Sequence, residues 1–133
     1  MKKISVDTNI LISIFVFPGT TVINILEKVM DGELILGISD EILREFIGVC
    51  VRKFNYEPEE AVNMADKIRE ISITVYPQKR INIIKDEPDN RILECAEAFG
   101  ADCIISGDRH LLSIKKFRGI EILTPAEFII KYG

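Results

Sequence analysis

Five short apolar runs, KISVD (3–7), ELILGIS (33–39), ITVYP (73–77), ADCIIS (101–106) and GIEIL (119–123), alternate along the chain with segments of helical periodicity. No other feature restricts the fold as much. Runs with so few polar positions have two faces to hide, and in a parallel sheet the helices that connect the strands do the hiding. Right-handed crossovers then put helices on both sides. The expectation is an α/β fold, a three-layer α/β/α sandwich with a central mainly parallel sheet, over residues 1–133 as a single domain.

The helical segments carry their own boundaries. SDEILREFIGVCVRKF (39–54) starts at a Ser that can cap it and has acids in its first turn, PEEAVNMADKIREI (58–71) starts with a Pro, and PDNRILECAEAFG (88–100) ends at a Gly. TNILISIFVF (8–17) is polar mainly at Asn9 and Ser13, four residues apart on one face, as befits a helix inside the protein. FPGT breaks it before TVINILEKVMDG (21–32), while DRHLLSI (108–114) and PAEFIIKYG (125–133) complete the set.

Hydrophobic residues make up 47% of the chain and charged residues 29%, enough for one compact core. No stretch reaches the roughly 18 apolar residues of a membrane span, and Asp7 and Asn9 interrupt the one run near the start that imitates a leader, so a soluble, cytoplasmic protein with no membrane partner is expected. Cys50, Cys95 and Cys103 show no C-x-x-C spacing and read as buried, reduced thiols. A formal net charge of −4 argues against binding nucleic acid through bulk positive charge. Contacts to such a partner must be local, and the basic clusters Arg52–Lys53, Lys79–Arg80 and Lys115–Lys116–Arg118 read first as solvated faces.

The acids are placed more tellingly. Open parallel sheets form their sites beyond the carboxyl ends of the strands. Asp7 ends the first strand, Asp108 follows another through Gly107, and Asp89 stands where a loop enters a helix. On the helical wheel of 39–54, Glu45 lies at the border of the apolar arc, roughly 40° from Val49, and can reach inward. Each acid has an ordinary role as well: Asp is a favoured helix cap, and a boundary Glu pairs with a neighbouring base. Convergence is what changes the balance. Two unit charges about 4 Å apart repel by about 4 kcal/mol at an effective dielectric of about 20, so three or four together require a cation. Oxygen donors suit Mg²⁺ or Mn²⁺, whereas zinc and copper favour the nitrogen and sulfur ligands scarce in this chain.

The segments VDTNILIS (6–13), SDEILREF (39–46), DEPDNRILECAEAFGADCIISGDRHLL (86–112) and ILTPAEF (122–128), taken in order, resemble the PIN-domain family, and more narrowly its VapC-like toxins. The resemblance implies a metal-dependent ribonuclease, an endoribonuclease, with acidic catalytic residues Asp7, Glu45, Asp89 and Asp108. Asp7, Asp89 and Asp108 would hold the metal, Mg²⁺ or Mn²⁺, and Glu45 would help hold it or orient its water. Asn9 and Ser106 match positions that orient these carboxylates through hydrogen bonds. Arg91 and Arg109, each beside a candidate ligand, would steady the RNA phosphates, with a solvated salt bridge as their ordinary alternative. The implied partners are an RNA substrate, an antitoxin protein and a second copy in a homodimer. The exposed face of 58–71 could serve either protein contact, though packing within the domain is its ordinary role.

Two departures from the common pattern stand out. His110 occupies a position where many relatives carry Asp, removing one negative charge, and DEPDN replaces the commoner two-Asp form, so that Asp86 and Glu87 have open roles. His110 reads as a helix-start hydrogen-bond donor or a general base. Two rival functions follow: a PIN-like RNA- or protein-binding module that keeps its acids as caps, and a phosphoacceptor domain of the receiver or haloacid dehalogenase type. VDTNIL lacks the acidic pair or D-x-D that the second needs.

Overall fold

The structure, a computed structural model, describes residues 2–133. Its elements in order are β1 (Lys2–Val6), α1 (Thr8–Phe15), α2 (Thr20–Met30), β2 (Leu34–Ile38), α3 (Asp40–Phe54), α4 (Pro58–Glu70), β3 (Ile73–Thr74), α5 (Glu87–Phe99), β4 (Cys103–Ile105), α6 (Arg109–Ile114), β5 (Lys116–Phe117), β6 (Ile120–Leu123) and α7 (Pro125–Tyr132). The sheet order is β3-β2-β1-β4-β6-β5, parallel throughout except for the β5–β6 pair.

Alternation of side chains across the strands sets the layers. On one face Ile4, Val6 and Leu36 meet Ile25, Leu26 and Val29 of α2. On the other, α5 lies directly on the central strands. Gly37 makes this possible, because a Cβ there would lie 2.4 Å from the ring of Phe99. The expected three-layer α/β/α sandwich with a mainly parallel sheet is what forms. α4 packs on α3 and turns Ala61, Ala65 and Ile68 inward, so its apolar face is used within the chain. Among the described residues no single helix is long and apolar enough to cross a membrane. The three cysteines are buried free thiols, as expected, and burial pushes the Cys95 thiol up to about 11.

Three local expectations are corrected. ITVYP yields only the two-residue strand Ile73–Thr74: the pairing with β2 continues for one bond, from Val75 N to Ile38 O (2.8 Å), and Pro77 has no N–H to prolong it. KKFR, where no strand is expected ahead of GIEIL, forms β5 and a tight hairpin onto β6 through Arg118 and Gly119, both at positive φ. Asp89 lies inside the first turn of α5, whose N-cap position is taken by Asp86, so Asp89 is not a loop residue and caps nothing.

The strand order decides where a site can form. From β1 the chain moves to β2 on one side and later returns to β4 on the other, which opens a crevice beyond the carboxyl ends of these two neighbours.

Candidate functional site

Asp7 follows β1 at this crevice. Its backbone N–H extends the ladder to Ile105 O of β4 (3.2 Å), and its side chain caps α1 by accepting from Ile10 N at 2.9 Å. The other carboxylate oxygen accepts from Ser106 Oγ and from Gly107 N (3.2 Å). Ser106, fully buried at the end of β4, in turn accepts from Asp108 N at 2.9 Å. One hydroxyl thus ties the two acids of neighbouring strands together. Asp108 caps α6, its Oδ1 accepting from His110 N (2.8 Å) and Leu111 N (3.2 Å).

Asp89 enters from the facing helix. It is 7% exposed, and its Oδ2 is buried without a hydrogen-bond partner. Burial, then the charges of Asp108 and Asp86, the closeness of the Asp108 carboxyl and the charge of Asp7 push its carboxyl up to about 7. Burial also holds Asp7 above the ordinary carboxylate range, against the bonds from Ser106, Ile10 and Gly107 that favour its ionised form. Four acids therefore lie in one another's fields.

They line a cavity of about 180 Å³ walled by Asp7, Asn9, Glu45, Lys53, Asp86, Asp89 and Asp108, among others. Glu45 reaches it as expected and has no ion-pair partner among the described residues. Asp86 is exposed and makes no side-chain cap bond. Of the two supporting polar residues, Ser106 donates to the carboxylate of Asp7 and accepts from the backbone N–H of Asp108. Asn9 is exposed at the rim, and its side chain makes no hydrogen bond to either among the described residues. His110 is exposed with its Nδ1 3.5 Å from Asp108 Oδ1.

The donor set fits a divalent ion. An unpartnered carboxylate oxygen, held out of water against other carboxylates, costs free energy that a cation removes. Oxygens of Asp89 and Asp108 and a ring nitrogen of His110 lie within 4.8 Å of one another.

The two arginines part company. Arg91 donates to Glu94 (2.8 Å), Glu87 (3.0 Å) and Ile81 O (3.1 Å), and its side chain is 12% exposed. Its guanidinium is committed to holding the chain, which replaces the expected phosphate contact with the ion-pair alternative. Arg109 is exposed and without an ion pair among the described residues.

Two groups that matter here escape the sequence reading. Lys53, grouped there with Arg52 as a solvated face, brings a positive charge to the acidic cavity. The available signal was the four-residue spacing of Glu45, Val49 and Lys53, which stacks them along one side of α3. Asn90 and Glu94 are buried polar residues four apart on α5. Asn90 accepts from Ile83 N (3.0 Å) and Ile84 N (2.9 Å) and donates to Ile84 O (2.6 Å), while Glu94 accepts from Ile81 N at 2.7 Å. Together they pin the irregular segment that carries Asp86 to the site. Beside the acidic cavity lies a second groove of about 310 Å³ that shares Thr8, Glu45 and Pro88 with it and adds Arg44.

The chain is 27% identical over 142 residues to the uncharacterized protein MJ1680 of Methanocaldococcus jannaschii, covering 98% of this chain and 91% of that one. Its fold is similar to that of a chain in the VapBC2 structure from Rickettsia felis bound to a DNA fragment from their promoter, with a TM-score of 0.65 at 16% identity, over 90% of this chain and 96% of that one. The PIN-domain profile matches residues 3–110, a span that contains every acid of the cavity, and the chain belongs to the PIN-domain family.

Proposed function

We propose that the protein is a metal-dependent endoribonuclease that hydrolyses RNA phosphodiester bonds, acting in the cytoplasm as the VapC-like toxin of a toxin–antitoxin pair. PIN domains are generally nucleases, and that family membership sets the reaction class. The observation that carries the metal dependence is the buried, unpartnered Oδ2 of Asp89 beside Asp7 and Asp108. Asp7, Asp89 and Asp108 would hold Mg²⁺ or Mn²⁺, and the bound ion would supply an acidified water and neutralise charge on the phosphate. The protein does the rest. Ser106 and Gly107 fix the rotamer of Asp7, the α6 amides fix Asp108, and Glu45 on the cavity wall orients the attacking water. Lys53 offers the phosphate a local positive charge in a chain whose net charge is −4.

The toxin role rests on resemblance. The Rickettsia felis VapBC2 complex supports an antitoxin partner for this chain, and a homodimer belongs to the same proposal.

Single-stranded RNA incubated with the protein and Mg²⁺ or Mn²⁺ should be cut internally, and either chelator or Asp7→Asn should stop the cleavage. Cleavage indifferent to both refutes the mechanism. One observation favours a second reading, a PIN-like binding module: Asp7 and Asp108 cap α1 and α6, roles that need no catalysis. Absence of divalent-ion binding at millimolar concentration, with RNA binding indifferent to Asp108→Asn, would establish it.

A further inference from the structure

The cavity acids leave His110 without an assigned part, yet its place is defined. It is the second residue of α6, its backbone N–H donates to Asp108 Oδ1, and its side chain is exposed, with Nδ1 3.5 Å from the same oxygen. A ring nitrogen of His110 and one oxygen each of Asp89 and Asp108 lie within 4.8 Å of one another. Donors of a six-coordinate ion with bonds of about 2.1 Å are about 3.0 Å apart when adjacent and about 4.2 Å when opposite, and His110 Nδ1 and Asp108 Oδ1, 3.5 Å apart, already lie near the adjacent spacing. Asp89, the third member of the group, keeps its Oδ2 buried without a hydrogen-bond partner.

We propose that His110 is a ligand of the metal held by Asp89 and Asp108, and that its nitrogen makes the site select Mn²⁺ over Mg²⁺. This rests on the metal-dependent reading of the acidic cavity. The chemistry is that of donor softness: Mg²⁺ keeps to oxygen donors and water, whereas first-row transition ions gain from an imidazole nitrogen. Replacement of a carboxylate by a neutral ligand also removes a charge that a hard ion would use. His110 therefore acts on which ion is bound, and through that ion on the reaction.

The test reads the bond itself. His110 is the only histidine of the chain, so on tag-free protein any directly bound imidazole nitrogen comes from it. Pulsed electron paramagnetic resonance of the Mn²⁺-loaded protein should show a coordinated ¹⁴N coupling that changes to the ¹⁵N pattern after selective ¹⁵N-histidine labelling. His110→Ala should abolish the coupling and weaken Mn²⁺ binding about tenfold, with a much smaller effect on Mg²⁺. His110→Asp should keep a bound ion without nitrogen coupling and move the preference toward Mg²⁺. Because the side chain is exposed, neither variant threatens the core.

The outcomes separate cleanly. Mn²⁺ bound without histidine coupling overturns the assignment of His110 and leaves the acidic site intact. No Mn²⁺ bound at millimolar concentration overturns both.

Discussion

Asp89→Asn should make the metal-free protein more stable at pH 8. The carboxyl of Asp89 has its pKa pushed from 3.8 up to about 7 by burial and by Asp108, Asp86 and Asp7. The sign follows from linkage: the folded state holds the proton more tightly than the unfolded chain, so the stability it confers is complete below about 4 and is lost as pH rises to about 7. Above that the ionised carboxylate is a fixed burden. A shift of about 3 units corresponds to about 4 kcal/mol without screening. The carboxylate is buried but edges a cavity open to water, and screening leaves about 1–2 kcal/mol. For a domain of this size that is about 3–10 °C in Tm. Thermal unfolding in chelator, followed by circular dichroism from pH 8 down to pH 4, should show the Asp89→Asn variant melting higher at pH 8, with the gap closing as pH falls toward 4. Added Mn²⁺ should reverse the order, raising the wild-type Tm and leaving the variant nearly unchanged. A variant less stable than wild type at pH 8 without metal would show that Asp89 is satisfied within the protein and that the acids need no ion.

Lys53→Ala should raise KM for single-stranded RNA several-fold with kcat within about twofold, and should reduce the slope of log affinity against log salt by about 0.7, the release from one phosphate contact; an unchanged slope would place Lys53 off the RNA path. Asn90→Ala removes three bonds to the backbone of Ile83 and Ile84. It should cost about 2–4 kcal/mol in denaturant unfolding and expose the Ile83 and Ile84 amides to hydrogen exchange; unchanged protection would mean that the segment is held by other contacts.

The strand–acid–helix junctions at Asp7 and Asp108 are legible in the residues because each is a local event. An apolar run of five or six residues, one polar residue that can cap, and a helical period are all decided within about ten positions of chain. The helix stops at Gly32 and Gly100 and the Ser39 cap are legible for the same reason, and the family resemblance adds which of the acids belong together. The brevity of β3 and the β5 hairpin were not legible: a two-residue strand leaves no periodicity to detect, and its existence depends on the neighbour that receives its bonds.

What tertiary structure alone decides is how each polar group is employed. Arg91 and Arg109 stand alike beside an acid in the chain, yet one is spent on Glu94, Glu87 and Ile81 O while the other is free in solvent. Lys53 is a surface cation in sequence and a cavity cation in space. Asp7 owes its orientation to Ser106, 99 residues away, and Asp89 owes its orphaned oxygen to the packing of α5 against the central strands. Periodicity fixes which way a side chain leaves its own helix or strand. Whether it meets a partner, a like charge or water depends on what the other elements bring to the same point, and that is set by the order of the strands and the packing of the layers.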